Sequence, residues 1–243
     1  MLAPGTRFDG FTLLHADRSL VVLDKHSGLL SVPGIGPEKA DCLASRAARA
    51  FPGARIVHRL DRDTSGAIVL ALDADTHRAL SVQFQERRTS KRYVAIVAGD
   101  PPSDSGEIDL PIRKDLDDPP RQIVDFEHGR PSVTGWRVIR RGRSAQEVIE
   151  RCDALGATAS CTAFDSLPAP APYARLELEP RTGRGHQLRL HLKSVGLPIV
   201  GDDLYAPPEL RPHGTRLMLH ASHLAFSHPA TGQSLAIDSR PPF

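Results

Sequence analysis

The order of apolar and polar residues along this chain is mainly that of short β-strands. Residues 17–34 carry a β-branched run, a Ser-Gly turn and a second apolar run, a pattern that predicts two strands around a turn. Further apolar runs predict strands at 54–60, 67–72 and 91–99. The polar residues 61–66 therefore form a loop at a strand end, where binding and catalytic side chains are often held.

Three segments predict helices instead. Residues 40–50 predict a short helix. Asp75 is a candidate N-cap for a helix that runs to about residue 88, because apolar residues four apart share one of its faces. Residues 186–196 fit both strand alternation and helical spacing, and Gly196 followed by Pro198 favours a helix that stops there.

Strands return in the second half of the chain. One or two are predicted within 122–141, another at 173–180, and short strands around a turn at 216–237. Residues 142–172 are rich in small residues and lack periodicity, which predicts a long surface loop or insertion. Strands interrupted by a few helices, without regular βαβ alternation, predict an α+β fold, and we expect one domain spanning 1–243.

Composition narrows the class of protein. The chain has 243 residues, of which 40% are hydrophobic and 25% charged, and this excludes a disordered or collagen-like chain. No apolar run has the length of a membrane-spanning helix, and the N-terminus lacks the pattern of an export signal. We therefore expect a cytoplasmic protein with no membrane association.

The net charge is small, but basic residues are clustered in two segments of the chain. Lys and Arg number 31 and Asp and Glu number 29, so the net charge is only +2. Two clusters are nevertheless purely basic, one at Arg87, Arg88, Lys91 and Arg92, the other along residues 181–193. Arginine binds phosphate through a planar fork of donors, so these clusters are candidate sites for an anionic partner.

The segment His58–Gly66, HRLDRDTSG, holds the densest set of reactive side chains. A carboxylate at a strand end between guanidinium groups stays ionised at neutral pH, which suits Asp61 for a role as nucleophile or electrostatic stabiliser. Asp61 and Asp63 also lie on the same side of an extended chain, so a two-carboxylate glycosidase remains open. A purely structural lattice of Arg and Asp around a tight turn is the simpler alternative.

Two other groups carry candidate chemistry. In RTGRGHQLRLH, residues 181–191, glycines precede a predicted helix, so backbone N–H groups and Arg184 are expected to face one anionic partner. Tyr93 begins an apolar strand and can present its ring to a cleft. The C-terminal histidines His220, His223 and His228 have no metal-binding spacing, and we expect no metal site.

In their order along the chain, these clusters resemble the RluA-type pseudouridine synthase family. HRLDRDTSG matches that family's HRLDxxTSG motif, KRYVAIVAG its KxYxAxVxG strand, and GRGHQLRLH its GR(S/T)HQ(I/L)RxH element. The likeness covers nearly the whole chain. It implies an RNA uridine isomerase without a cofactor, on a mixed, largely antiparallel sheet with flanking helices and a central catalytic cleft. Its partner would be structured RNA, rRNA or tRNA or both, and we expect a monomer.

The resemblance also implies roles for individual residues. Asp61 is the expected catalytic aspartate, Tyr93 the aromatic residue against the target uracil, and Arg184 the basic partner of the aspartate. Arg59 matches the position that fills the space left by an extruded base, since a stacked uridine must flip out before its sugar can react. The other expected RNA-binding residues are Arg62, Arg87, Arg88, Lys91, Arg92, His186 and Arg189.

Departures from the family pattern are few. Gly185 stands where Ser or Thr is usual, and His26 replaces a proline in an early turn. The chain begins almost directly at the expected catalytic core, so we expect no N-terminal S4 RNA-binding domain. Two rival functions remain: a glycoside or nucleoside hydrolase that uses Asp61 and Asp63, and a non-catalytic RNA-binding module.

Overall fold

The computed structural model describes residues 2–149, 167, 172–211 and 216–243. The chain divides into two compact units. The first unit comprises Met1–Arg92 and His220–Pro241, and the second comprises Tyr93–Leu219 and Pro242–Phe243. Within the described ranges, no helix combines the length and the apolar character needed to cross a membrane.

Strands outnumber helices in both units. The helices are α1 (Leu43–Ala50), α2 (Ala74–Gln85), α3 (Ala145–Val148) and α4 (Gln187–Ser194). The strands are β1 (Arg7–Phe8), β2 (Phe11–Ala16), β3 (Leu20–Lys25), β4 (Arg55–Ile56), β5 (Ser65–Ala71), β6 (Ser90–Ala98), β7 (Ser105–Asp109), β8 (Ile112–Lys114), β9 (Gln122–Val124), β10 (Val133–Gly142), β11 (Tyr173–Pro180), β12 (Leu219–Ser227) and β13 (Ser234–Asp238).

In the first unit the strands follow the order β1-β2-β3-β5-β12, with β4 paired to β5 and β13 to β12. The β5–β12 pair is parallel and the others are antiparallel. Strand β5 is buried at every position and β3 at nearly every one, as continuous apolar runs require. Helix α2 packs on this core through Leu80, whose side chain has no exposed surface.

The N-cap of α2 is a short polar side chain. Asp73, and not the predicted Asp75, is the N-cap of α2, because its carboxylate accepts hydrogen bonds from the backbone N–H and the hydroxyl of Thr76, both at 2.8 Å. Asp75 lies in the first turn, where its charge still favours the helix dipole.

In the second unit the order is β6-β11-β10-β7, all antiparallel, and β8 and β9 form a separate hairpin. The core of this unit lies against β6 and β11 and includes Leu176, Leu178, Leu188 and Leu192, the last two from α4. Together the units form a mixed, mostly antiparallel α+β fold, which confirms the predicted class.

Some local predictions were wrong. The second apolar run of 17–34 is not a strand. Strand β3 pairs instead with β2, which precedes it in the chain. The strand predicted over 54–60 stops after Ile56. Within 142–172, β10 extends to Gly142 and α3 follows; Leu167 is buried in the core, and most of the remaining segment lies outside the described residues.

Candidate active site

The residues expected at the site are divided between the two units. Asp61 and Arg59 lie in the loop between β4 and β5 of the first unit. The basic cluster at residues 87–92 belongs to the same unit. Tyr93, Arg184, His186 and Arg189 belong to the second unit.

A buried lysine holds the loop that carries Asp61. Lys25, with no exposed surface, donates through its ammonium group to the carbonyl oxygens of Arg62 at 2.8 Å, Leu29 at 2.7 Å and His26 at 2.9 Å. The backbone N–H of Gly28 donates to the same Arg62 carbonyl. A charged donor makes stronger hydrogen bonds than a neutral one, so the peptide between Arg62 and Asp63 is firmly fixed.

Two serines hold the peptide before Asp61 and the peptide after Asp63. The hydroxyl of Ser31 donates to the Leu60 carbonyl at 2.7 Å and accepts from the Leu60 N–H at 3.1 Å. The hydroxyl of Ser27 donates to the Asp63 carbonyl at 2.7 Å. Asp61 is half-buried between these anchors. The backbone on both sides of its side chain is therefore fixed by residues from a distant part of the sequence.

The last two residues of the HRLDRDTSG motif, Ser65 and Gly66, pair with β12 in the parallel β5–β12 ladder. Gly66 has φ +116°, and a Cβ there would lie 2.3 Å from the carbonyl oxygen of Ala221 on β12. Next to it, the Ser65 hydroxyl lies 2.7 Å from Nδ1 of the buried His220, whose Nε2 contacts Ser239. Only glycine permits this close approach of the two backbones.

His58 ends strand β4 by replacing a backbone partner with its side chain. Its Nε2 accepts the N–H of Val69 on β5 at 3.2 Å, and its ring stacks on Phe84 of α2 with centroids 4.3 Å apart. Burial, together with the positive charge of Lys91, lowers the pKa of His58 to about 3. The ring is therefore neutral at physiological pH, as an acceptor role requires.

The expected RNA-binding cations of the first unit are mostly exposed. Arg59, Arg87, Arg88 and Arg92 lie at the surface, and Arg87 adopts φ 57° just after α2. Lys91 is half-buried, and burial together with the nearby Arg87 lowers its pKa.

The second carboxylate of the loop has a partner of its own. Arg62 donates to the carboxylate of Asp63 at 2.8–3.1 Å. Asp63 is thus committed to its neighbour, which disfavours the pair of catalytic carboxylates that a glycosidase needs.

Tyr93 lies on β6, opposite Leu178 of β11, and is half-buried against the core of the second unit. Part of the Tyr93 side chain is therefore packed against the core and part is exposed.

Arg184 lies in a turn that is held by Gln187, the first residue of α4. The buried amide oxygen of Gln187 accepts from the N–H of Arg184 at 3.0 Å and from the hydroxyl of Thr182 at 2.8 Å. Its amide nitrogen donates to the Val133 carbonyl and the Thr134 hydroxyl of β10, both at 3.0 Å. Arg184 Nε is buried without a hydrogen-bond partner among the described residues.

His186 adopts the left-handed conformation, with φ 52° and ψ 17°, and precedes α4 directly. Its Nδ1 lies 3.0 Å from the phenol oxygen of Tyr205, which also accepts the backbone N–H of Gln122 at 2.7 Å. A non-glycine residue in this region of backbone space is uncommon and is held there by its surroundings.

The structure gives Arg189 a role different from the predicted one. Its guanidinium is 3% exposed and donates to the buried carboxylate of Asp202 and, at 2.8 Å, to Asp203. A buried guanidinium that is paired in this way has no exposed donor for a phosphate. Arg189 is therefore a structural residue, and its predicted contact with RNA was wrong.

The predictions missed several residues that hold the site, above all Lys25, Ser31, Gln187 and Tyr205. Gln187 lies inside RTGRGHQLRLH, and Lys25 and Ser31 lie in the 17–34 segment, so part of the signal was present. Each of the four residues contacts a backbone atom more than 25 positions away, and spacing along the chain does not indicate such contacts.

The C-terminal histidines have separate partners. His220 contacts Ser65 and Ser239, His223 lies 2.6 Å from an oxygen of Asp238, and His228 donates to Asp17 at 3.0 Å. Each ring is thus engaged by nearby side chains. Among the described residues there is no group of three or more histidine, cysteine or carboxylate side chains arranged to hold a metal ion.

The fold and the motifs agree with comparisons to known proteins. The sequence model of the RNA pseudouridylate synthase family matches residues 19–194. The chain belongs to this family, whose members are isomerases that act on RNA.

Individual members of the family are about 40% identical to this chain. The chain is 39% identical over 231 residues to the dual-specificity RNA pseudouridine synthase RluA of Pasteurella multocida, covering 95% of this chain and 93% of the relative. It is 41% identical over 223 residues to RluA of Escherichia coli K12, covering 92% and 90%. Among solved structures, human RNA pseudouridylate synthase domain containing 1 matches with a TM-score of 0.73 at 26% identity, covering 100% of this chain and 87% of that one.

Proposed function

We propose that this protein is a dual-specificity RNA pseudouridine synthase that modifies uridines in both rRNA and tRNA, with Asp61 as its catalytic residue. Relatives that are about 40% identical over nine-tenths of the chain carry the dual-specificity name. The observation that carries the assignment of Asp61 is the fixed loop around it, in which the peptides of Leu60, Arg62 and Asp63 are each held by a side chain.

The reaction explains why such a loop is needed. The bond from ribose C1′ to uracil N1 breaks, the freed base turns, and C1′ joins C5, so the RNA keeps its length and composition. In a fixed orientation, a carboxylate must face either the electron-poor C1′ of the ribose or the proton on C2′. Holding the backbone on both sides of Asp61 limits the directions in which its carboxylate can move.

Arg184 is the proposed partner of the aspartate, and its buried Nε, which has no hydrogen-bond partner in the described part of the chain, supports this role. A buried donor without a partner is costly, so such groups are usually retained for a ligand or a reacting group. Tyr93, half-buried with its ring beside the core, is proposed to lie against the target uracil.

The target nucleotide has to leave its stack, which costs roughly a few kcal/mol. The exposed Arg87, Arg88 and Arg92 and the half-buried Lys91 are proposed to offset this cost by binding phosphates, with Arg59 filling the space left by the base. Binding of this kind weakens as salt concentration rises, since phosphate contacts release counterions. We propose that the enzyme works as a monomer in the cytoplasm.

The test compares two neighbouring carboxylates. Asp61→Asn is expected to lower pseudouridine formation on tRNA and rRNA fragments by about a thousandfold or more, because the amide can neither attack nor accept a proton in its place. Asp63→Asn is the matched control and is expected to retain activity, since Asp63 pairs with Arg62. Turnover retained by Asp61→Asn would refute the assignment, and equal losses in both variants would revive the two-carboxylate hydrolase.

The RNA targets require a separate measurement. Mapping pseudouridine across total RNA from cells with and without the gene is expected to show sites lost from both rRNA and tRNA. Loss from a single RNA class would refute dual specificity while leaving the role of Asp61 intact.

A further inference from the structure

The phenol of Tyr205 connects two segments near Arg184. Its oxygen accepts the backbone N–H of Gln122 at 2.7 Å and lies 3.0 Å from Nδ1 of His186. The two rings meet edge to face, with centroids 5.8 Å apart. His186 is thus held through its ring as well as through the start of α4.

One arrangement of this contact satisfies the phenol both as donor and as acceptor. Because the Tyr205 oxygen already accepts from Gln122, its own O–H satisfies the network when it points at His186 Nδ1. Nδ1 is then the unprotonated nitrogen of the imidazole, and the ring proton is on Nε2. One phenol hydroxyl therefore selects one of two tautomers.

The backbone of His186 also needs support. Its φ of 52° places a residue with a Cβ in the left-handed region, where glycine and asparagine are the usual occupants. Arg184 is two residues earlier in the same turn, so the conformation of His186 decides how Arg184 is presented. A hydrogen bond to the His186 ring helps to keep that conformation.

Tyr205 itself rests on a rigid support. The carboxylate of Asp202 accepts from the backbone N–H groups of Leu204 and Tyr205, both at 3.0 Å. Asp202 is paired with the buried Arg189, whose guanidinium lies 5.4 Å from the centroid of the Tyr205 ring. The buried ion pair therefore fixes both the backbone and the ring of Tyr205.

We propose that Tyr205 is a positioning residue that holds His186 in the Nε2–H tautomer and in the left-handed conformation, so that the Arg184 turn is set before RNA binds. This proposal rests on the proposed function, in which Arg184 takes part in the reaction. The support has three layers: the Arg189–Asp202 pair holds Tyr205, Tyr205 holds His186, and His186 shapes the turn.

The experiment removes one hydroxyl and reads two signals. In Tyr205→Phe, kcat/KM is expected to fall about tenfold, the scale of one lost hydrogen bond at a site that must be ordered. In ¹⁵N NMR of histidine-labelled protein, the His186 signals, assigned by their absence in His186→Ala, are expected to report the Nε2–H tautomer in the parent and a mixture in Tyr205→Phe. Tyr173→Phe, which removes a buried phenol hydroxyl elsewhere in the same unit, is expected to change kcat/KM less than about twofold.

A double-mutant cycle separates positioning from general weakening of the fold. In the His186→Ala background, adding Tyr205→Phe is expected to change kcat/KM less than about twofold, because the group through which Tyr205 acts is gone. An equal loss in both backgrounds, or an unchanged His186 tautomer in Tyr205→Phe, would overturn the proposal.

His186→Gly provides the remaining check, since glycine adopts the left-handed region without strain. Full activity in this variant would show that the ring of His186 is dispensable and would also overturn the proposal; a loss is the expected result. The NMR signal does not depend on catalysis, so failure of the proposed function, seen as turnover in Asp61→Asn, is distinguishable from failure of this inference.

Discussion

The loop that carries Asp61 and the turn that carries Arg184 are held in different ways. In the first, donors from residues 25–31 bind backbone carbonyls more than 25 positions later in the chain. In the second, Gln187 binds the N–H of a residue three positions before it, and its amide reaches across to β10. The first loop therefore depends on the chain folding back on itself, whereas the second is partly set by the start of a helix.

The difference also appears in the kind of charge that each region buries. Beside the Asp61 loop the buried cation is Lys25, which donates to the neutral carbonyl oxygens of His26, Leu29 and Arg62. The Arg184 region contains a complete ion pair, Arg189 with Asp202, in which both side chains are almost fully buried. Replacing Lys25 and replacing Arg189 should therefore lower the free energy of unfolding by different amounts.

The largest effect is expected in the second unit. Arg189→Met leaves the carboxylate of Asp202 buried without its counter-ion, and the free energy of unfolding is expected to fall by about 4 kcal/mol in urea denaturation. The matched control is Arg181→Met, which removes an exposed arginine paired with Glu107 and should cost less than about 1 kcal/mol. If Arg189→Met kept its stability and lost only RNA affinity, the structural role of Arg189 would be refuted.

A smaller loss is expected in the first unit. Lys25→Met keeps a side chain of similar length but leaves the carbonyls of His26, Leu29 and Arg62 without their shared donor, which should lower the free energy of unfolding by about 3 kcal/mol. The same denaturation assay on Lys39→Met, at an exposed position, should give almost no change. Unchanged stability in Lys25→Met would mean that the two serines and the Gly28 N–H are enough to hold the loop.

The pH dependence compares one histidine from each unit. Burial lowers the pKa of His58 to about 3 and also lowers the pKa of His191, opposed in part by the Leu110 carbonyl and Asp109. Each histidine therefore binds a proton more readily in the unfolded chain than in the folded protein. The unfolded state thus gains stability as the pH falls through about 6.5.

From pH 7 to pH 5 we expect His58 to reduce the free energy of unfolding by about 1–2 kcal/mol. His58→Gln keeps an acceptor for the Val69 N–H and should flatten this slope, and His191→Gln should flatten it less. Asp17 and Asp125, whose pKa values are lowered to about 2, act only in more acidic solution and do not interfere. Equal slopes in His58→Gln and the parent would contradict the assignment.

The smallest effect is expected at Gly185, the position where the family usually has Ser or Thr. A Cβ there would lie no closer than 3.9 Å to any neighbour, and φ is not in the left-handed region. Gly185→Ser should therefore change stability by less than about 0.5 kcal/mol and activity by less than about twofold. A large loss in denaturation or turnover assays would show that the turn has less room than its backbone indicates.

Much of the fold was predictable because its signals are local. The apolar run of β5, the alternation of β11 and the glycine after α4 each describe a segment by its own residues, and all three predictions were confirmed. Predictions failed where a side chain replaced a backbone partner. His58 ends β4 early, and Lys25 takes the carbonyl of Leu29 in a segment predicted to be a strand.

The sequence by itself determined the strands and helices, the family motifs and the residue types of the candidate site, because periodicity, turn residues and motif spacing are properties of neighbouring positions. Only the tertiary structure decided which charges face water and which are buried. Arg189 became a structural residue because Asp202, thirteen positions later, folds back against it. Desolvation and pairing depend on contacts between distant segments, and no local pattern in the chain specifies them.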